Sequence, residues 1–301
     1  MGKSLIIISG PTAVGKTDIS IELAQKFNSP VISADSRQIY REMTIGTAKP
    51  SAEQLRQVKH YFIGTKSITE YYNASKYEFE VLDLLEELFR EKDSLIMAGG
   101  SGMYIDAVCY GIDDIPEIDM KVRSNLIRRL ENEGPESLRF ELKRLDPETW
   151  ANIDLKNHQR ILRALEVTMM TGKPYSSFLT KKNKQRDFRI IKTALHRDRE
   201  ELHQRINKRV DIMMQEGLAE EVKTLYPHKN LTALKTVGYR ELIDYLDKKH
   251  TLDEAVELIK RNTRRYARRQ ISWFNRDKNT RWFHAEDTEG ITGYITLKKR
   301  L

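Results

Sequence analysis

Apolar residues fall into short unbroken runs near the N-terminus and into helix-spaced stripes beyond them. Leu5-Ile6-Ile7-Ile8, closed by Ser9 and Gly10, is short, branched and bounded by glycine, the pattern of a strand covered on both faces. From Lys16 to Phe27 the apolar positions are Ile19, Leu23 and Phe27, with Ala24 beside them, which is helical spacing. Val31-Ile32-Ser33-Ala34 reads as a second strand ending at Asp35, and His60 to Gly64 as a third. Tyr77 to Glu91 carries Phe79, Leu82, Leu85, Leu88 and Phe89 as one face of an amphipathic helix. Ser94 to Ala98 is another buried strand, ending in Gly99-Gly100. Strands alternating with helices predict an α/β fold with a parallel sheet flanked by helices.

The texture changes after Gly111. Asp113-Asp114-Ile115-Pro116 is a break, and from Met120 to about Met170 the chain reads helical, interrupted at Gly134-Pro135 and Asp146-Pro147. Gly172-Lys173-Pro174 breaks it again, and Lys181 to Arg186 is a polar, basic connector. Ile190 to Leu195 then reads as a strand returning to the sheet. The expected organisation is a core of residues 1–113 and 187–301 with a helical insertion domain at 114–186. The tail from Arg199 to Arg276 is helix-rich and basic, and no internal repeat is visible.

Charge sharpens this division. The 301 residues carry a net charge of +8. Met1 to Tyr110 holds 12 Lys/Arg against 14 Asp/Glu, or −2, so the remainder holds 40 against 30, or +10. A basic back half points to a polyanionic partner. The single cysteine, Cys109, excludes an internal disulfide and fits a reducing cytosol, where it reads as a small buried side chain. Leu5 to Ile8 is too short for a signal peptide, and no apolar run approaches the roughly 18 residues of a membrane helix, so no membrane partner is expected. His60, His158, His196, His203, His228, His250 and His284 show no pairing at metal-ligand spacing, and one cysteine cannot build a zinc site.

The chemistry begins where the first strand ends. Gly10-Pro11-Thr12-Ala13-Val14-Gly15-Lys16-Thr17 matches the P-loop pattern at all of its fixed positions, which makes the expected fold P-loop NTPase-like. In such a loop backbone N–H groups ring phosphate oxygens, Lys16 adds a point charge, Thr17 is placed to hold Mg²⁺, and the following helix aims its positive end at the anion. P-loop NTPases also need an acid at a strand end to hold the metal. The strand Ser94 to Ala98 ends instead in Gly99-Gly100-Ser101-Gly102, which weakens an ATPase reading. Asp35 is left as the acid near the phosphates, because neighbouring strand ends in an open α/β sheet face one crevice. On local pattern alone the lesser alternative for Asp35 is a turn residue or helix cap.

Taken together, several blocks resemble the tRNA dimethylallyltransferases (tRNA isopentenyltransferases), of the bacterial type. They are Gly10 to Thr17, Ile32 to Tyr40, Met43 to Pro50, Gly99 to Tyr104, Asn157 to Glu166, Leu202 to Arg209, Thr236 to Arg240 and Ala267 to Trp273. The blocks keep the family's order and span most of the chain, which ends at Leu301 without the zinc finger that some eukaryotic relatives carry. The resemblance implies transfer of a dimethylallyl group from dimethylallyl diphosphate to N6 of the adenosine beside the tRNA anticodon, at tRNA position 37, with diphosphate leaving. The P-loop then holds a leaving group rather than a phosphoryl donor. The resemblance further implies Asp35 as the base, Thr17 and Mg²⁺ at the diphosphate, and Arg209 as a diphosphate-contacting arginine, with Arg205 one turn earlier as fallback. It implies tRNA contacts at Asp35, Ser36, Arg37 and Gln38, at Ser101 and Arg123, at Gln159, Arg160, Ile161, Leu162 and Arg163, and at Lys235, Thr236, Val237, Gly238, Tyr239 and Arg240. Ser101 departs from a more usual threonine but keeps the hydroxyl. A cytoplasmic monomer is expected. A P-loop nucleoside or nucleotide kinase, or an adenylate isopentenyltransferase, would share the loop but leave the basic back half unexplained.

Lys260 to Arg269 holds six positive charges in ten residues, and on a helix Arg261, Arg264, Arg265 and Arg268 share one face. Such a stripe suits phosphate-backbone contacts. Trp273 and Phe274 follow it and read as core.

Overall fold

A computed structural model describes residues 2–117, 119–180 and 183–300. Lys181 and Lys182, at the start of the expected basic connector, lie outside the described residues, as do Met1, Ile118 and Leu301. Two compact units emerge, 1–110 with 185–301, and 111–184.

The larger unit begins β1 (Ser4–Ser9), α1 (Lys16–Lys26), β2 (Val31–Ser33), α2 (Ala52–Gln57), β3 (His60–Tyr61), α3 (Ala74–Leu88), β4 (Ser94–Gly99) and α4 (Gly102–Tyr110). The smaller unit contains α5 (Met120–Glu133), α6 (Pro135–Leu145), α7 (Pro147–Asn152) and α8 (His158–Thr171). The larger unit resumes with β5 (Arg189–His196), α9 (Arg199–Gln215), α10 (Leu218–Leu225), α11 (Tyr239–Leu246), α12 (Leu252–Phe274), β6 (Arg281–His284) and α13 (Thr288–Arg300).

The six strands form one sheet in the order β3-β2-β4-β1-β5-β6, and every pairing is parallel. Leu5 to Ile8 are fully buried because β1 lies between β4 and β5 and is covered on both faces, which is why they read as an uninterrupted apolar run. Ser9 is level with Gly99 on one side and Ala194 on the other. The turns after these strands therefore leave the sheet at one edge, where open parallel sheets bind ligands.

The structure refines several expectations. The third strand stops at Tyr61 because Phe62 turns to a φ of 62°, outside the extended region. Tyr77, Val81, Leu85 and Phe89 form the buried face of α3 and its end, whereas Phe79 is 57% exposed, so the apolar stripe is rotated from the one expected. The apolar pattern predicts neither β6 nor α13. β6 is four residues long and α13 carries two glycines, yet Ile291 and Ile295 are buried in the main core.

In the smaller unit the two interruptions are helix starts. Pro135 and Pro147 open α6 and α7, where a missing N–H costs nothing. Asp146 is buried because its carboxylate caps Thr149 N at 2.9 Å and also accepts from Ser176 N at 2.7 Å. This unit has its own core of Leu126, Leu138, Leu142, Ile161, Leu162, Ala164 and Leu165.

Candidate active site

The turn after β1 is shaped by its backbone. Ala13 and Gly15 take left-handed φ values of 63° and 110°, and Gly15 stands at the N-cap of α1. Left-handed residues set between ordinary ones in this way turn successive N–H groups to one side and create an anion-binding hollow. Pro11 has no N–H and contributes a carbonyl, which accepts from Lys16 Nζ at 2.7 Å, while Gly10 O accepts at 3.0 Å.

Arginines from β5–α9 brace the outside of this loop. Arg197 Nε donates to Val14 O at 2.9 Å, and Arg205 Nε donates to Ala13 O at 2.9 Å. Arg209 Nη1 reaches the Thr12 hydroxyl at 3.2 Å and lines the cleft above the loop, so of the two candidate arginines Arg209 is the one facing a ligand. Burial, with the Arg209 charge close by, pulls the Lys16 ammonium down to about 7, against the smaller opposing pull of Asp35.

The cleft has a cavity volume of about 90 Å³, or about 680 Å³ when the open solvent within its envelope is included. Thr12, Ala13, Lys16, Thr17, Asp35 and Arg209 all line it, so side chains from three separate chain segments meet in one cavity. Asp35 Oδ1 accepts from Arg37 N at 2.8 Å and Gln38 N at 3.2 Å, capping the turn. Oδ2 takes no hydrogen bond from the described residues, so the same carboxylate is both a cap and an available acceptor. The Thr17 hydroxyl likewise lines the cleft without a hydrogen-bond partner among the described residues.

The walls depend on contacts far apart in sequence. A side chain at Gly99 would lie 2.1 Å from the Ala34 carbonyl, so only glycine lets β4 end against the segment that carries Asp35. Ser36 N donates to Ser101 Oγ at 2.9 Å, which keeps that serine on the Asp35 turn. Gln38 Nε2 donates to Ala48 O at 2.9 Å and Thr47 O at 3.2 Å, drawing the 47–50 segment over the cleft. Gln270 of α12 joins opposite walls: its Oε1 accepts from Thr12 N at 2.8 Å and its Nε2 donates to Gly100 O at 3.0 Å. Tyr266, one turn before it, also lines the cleft, and burial pushes its phenol up to about 12.

The remaining expected tRNA-facing residues separate into surface and core. Lys235 and Arg240 are exposed and Thr236 and Val237 half-buried, but Gly238 and Tyr239 are buried. Tyr239 is a correction to the expected tRNA surface. Its ring lies where a Gly46 side chain would be, and its hydroxyl donates to Glu221 Oε1 at 2.6 Å. Glu221 also accepts from Thr44 N, Ile45 N and Gly46 N at 2.9, 2.8 and 3.1 Å, so Tyr239 supports a loop from beneath and presents nothing to a macromolecule.

In the smaller unit, Ile161 and Leu162 are corrected in the same way: each is 1% exposed and packs in the helical core. Gln159 and Arg160 are exposed. Arg123 and Arg163 converge on Glu166 Oε2 at 3.2 and 3.3 Å, with Arg123 also 3.4 Å from Gln159 Oε1. One buried carboxylate between two arginines holds both in place and leaves a net positive patch.

On α12 the stripe is less uniform than its sequence. Lys260 is paired to Asp211 at 2.8 Å and Glu257 at 3.1 Å, and Arg264 donates to Asn207 Oδ1 at 2.5 Å. Arg261, Arg265, Arg268 and Arg269 are exposed. Phe274 is core, as expected, while Trp273 is half-buried and donates through Nε1 to Asp106 at 2.9 Å. Cys109 is buried, with its thiol pushed up to about 12 by desolvation. Among the described residues no helix is long and apolar enough to cross a membrane, and no cluster of three or more His, Cys, Asp or Glu side chains could hold a metal.

A glycine loop and lysine fed by a central strand, a carboxylate two strands away across β4 and a basic helix along the cleft define a P-loop α/β protein built to hold a phosphorylated small molecule. A family model described as IPP transferase matches residues 38–277. The tRNA dimethylallyltransferase 1 of Phocaeicola vulgatus is 52% identical over 295 residues, 98% of each chain. The tRNA dimethylallyltransferase of Flavobacterium johnsoniae is 51% identical over 300 residues, 97% of each. Among solved structures, the full-length tRNA isopentenylpyrophosphate transferase of Bacillus halodurans aligns with a TM-score of 0.70 at 36% identity, covering 99% of this chain and 98% of that one. A eukaryotic dimethylallyltransferase acting on tRNA aligns at 0.78 with 26% identity, covering 99% and 78%. The chain belongs to the IPP transferase family.

Proposed function

We propose that this enzyme transfers a dimethylallyl group from dimethylallyl diphosphate to N6 of adenosine 37 of tRNA and releases diphosphate. The observation that carries the reading is the shared cleft, in which a phosphate loop, Lys16 and Arg209 stand with a carboxylate, Asp35, that has an oxygen to spare. The full-length likeness to named tRNA dimethylallyltransferases supports the substrates.

The exocyclic amine of adenine is a weak nucleophile, because its lone pair is delocalised into the ring. Asp35 accepts its proton as the C–N bond forms, a contribution of about 10²- to 10⁴-fold. The bond between C1 and the diphosphate oxygen breaks, and its electron pair leaves with that oxygen. Loop N–H groups, Lys16 and Arg209 face the charge that develops there. The adenine leaves its stack to enter the cleft, as a base must before an enzyme can act on it.

The donors at the loop suit Mg²⁺. Thr17 would hold it, with phosphate oxygens and water completing a shell that magnesium seldom takes entirely from protein. Bound there, the ion would neutralise charge on the leaving diphosphate. Ser36, Arg37, Ser101, Lys235 and Arg240 in one unit, and Arg123, Gln159, Arg160 and Arg163 in the other, are the side chains assigned to tRNA. The reading includes a cytoplasmic monomer.

The test supplies unmodified tRNA, dimethylallyl diphosphate and Mg²⁺, and follows isopentenylated adenosine by mass spectrometry. Transfer is expected without ATP. Equal product on free AMP, or ATP hydrolysis alone, would overturn the reading, and light scattering on the active sample checks the monomer.

A further inference from the structure

Below Asp35 the cleft continues down the face of the sheet. Val31, Ser33 and Asp35 alternate along one chain and all line it, so they share a face. Ala98, Ala48, Pro50 and Ile63 supply apolar wall. His60, paired in register with Val31, closes the deep end.

His60 Nδ1 lies 2.8 Å from Val58 O, so Nδ1 carries the proton and donates. Nε2 then bears a lone pair. It is buried and has no hydrogen-bond partner, the only cleft-lining side chain among the described residues with such an atom. The polar neighbours are committed: the Ser20 hydroxyl donates to Thr17 O at 2.8 Å, and that of Ser33 points to Gln38 Oε1 at 3.5 Å. Burial holds the His60 pKa below its ordinary value, which keeps the ring neutral and Nε2 an acceptor.

We propose that His60 Nε2 reads the far end of the prenyl chain, and that the enzyme takes a dimethylallyl diphosphate hydroxylated on its terminal carbon as a substrate in its own right. The proposal rests on the prenyl-transfer reading of the same cleft. The four-residue step from Val31 to Asp35 spans roughly 13 Å at about 3.3 Å per residue. From Asp35 the path runs through one hydrogen bond to N6, five covalent bonds to the hydroxyl oxygen, and a second hydrogen bond to Nε2. Two hydrogen bonds of about 2.8 Å and five bonds advancing about 1.2 Å each give roughly 12 Å. A plain dimethylallyl chain stops one bond short and has no donor, so it leaves Nε2 buried and unpaired. The chemistry at C1 is unchanged: N6 displaces diphosphate, Asp35 takes the amine proton, and the hydroxyl is carried intact into the product.

Competition between the two diphosphates for limiting enzyme on unmodified tRNA tests this, since the products differ by one oxygen in mass. Wild type is expected to use the hydroxylated donor with kcat/KM within about threefold of the plain one or better, and His60→Leu to shift the ratio about 5- to 30-fold towards the plain donor, the loss of one buried hydrogen bond. A ratio equal in both proteins overturns the assignment to His60. If His60→Leu is inactive with both donors, the wild-type ratio alone decides, and a hydroxylated donor used less than a tenth as well as the plain one overturns the proposal. Transfer from neither donor by wild type would instead sink the prenyl-transfer reading, and this inference with it.

Discussion

Asp35 and Lys16 carry opposite duties at the ends of one short reaction coordinate. Asp35→Asn keeps an oxygen to cap Arg37 N but cannot take a proton, so transfer is expected to fall by about 10²- to 10⁴-fold with tRNA affinity within about tenfold, as read by single-turnover assay and filter binding. A comparable loss of tRNA binding would make Asp35 a structural residue only. Lys16 makes a pH-dependent prediction. Its folded value, about 7, lies below its unfolded value, so between the two the unfolded chain binds more protons. Stability of the ligand-free enzyme should therefore rise with pH above about 7 towards the ordinary lysine range. Diphosphate favours the ammonium and reverses the preference, so binding takes up a proton and weakens as pH climbs through that window. Calorimetry of diphosphate binding at pH about 8 in buffers of different ionisation heat should show uptake that Lys16→Met removes. Identical uptake in the variant would mean that the proton goes to the ligand alone.

At the scale of the element, α12 does two jobs with two faces. Gln270 and Tyr266 look into the cleft, while Arg261, Arg265 and Arg268 look outwards. The outward charges, free of acidic partners among the described residues, are the ones that can release counterions from a nucleic acid. Replacing all three with alanine is expected to weaken tRNA binding and flatten its salt dependence by about 0.7–0.9 in slope for each phosphate no longer neutralised. Lys260→Ala, already neutralised by Asp211 and Glu257, should leave the slope alone. Equal effects from both variants would show that the stripe acts only as bulk charge. The periodicity of this helix was legible in sequence because it is local. The ion pairs that silence Lys260 were not, because Asp211 comes from a different helix.

For the molecule as a whole, the division into two units matters more than any single side chain. The helical unit has its own apolar core, in which Leu162 is 1% exposed. Leu162→Ala should destabilise that unit by about 2–5 kcal/mol, while diphosphate binding in the other unit persists. Hydrogen exchange would show protection lost from α5–α8 and retained in β1, β4 and β5, and loss throughout would mean that the chain unfolds as one block. Charge divides along the chain rather than between the units, with −2 over residues 1–110 and +10 beyond. The segment that begins with the phosphate loop is close to neutral, and the excess that attracts a polyanion lies after it.

The sequence by itself determined the phosphate loop, the parallel sheet, Asp35 at a strand end and the helical insertion. Each of these is written in local patterns: a covered strand must be apolar throughout, a tight phosphate turn needs glycine, and a helix start tolerates proline. Only the tertiary structure decided what closes the cleft. Gln270 reaches Thr12 across 258 residues and Glu221 caps Gly46 across 175, while His60 faces the cleft because β3 lies beside Val31. It also decided that Tyr239, Ile161 and Leu162 belong to cores rather than to an RNA surface. A motif names residues that stay together in a chain, but which way each side chain points is settled by the elements packed against it.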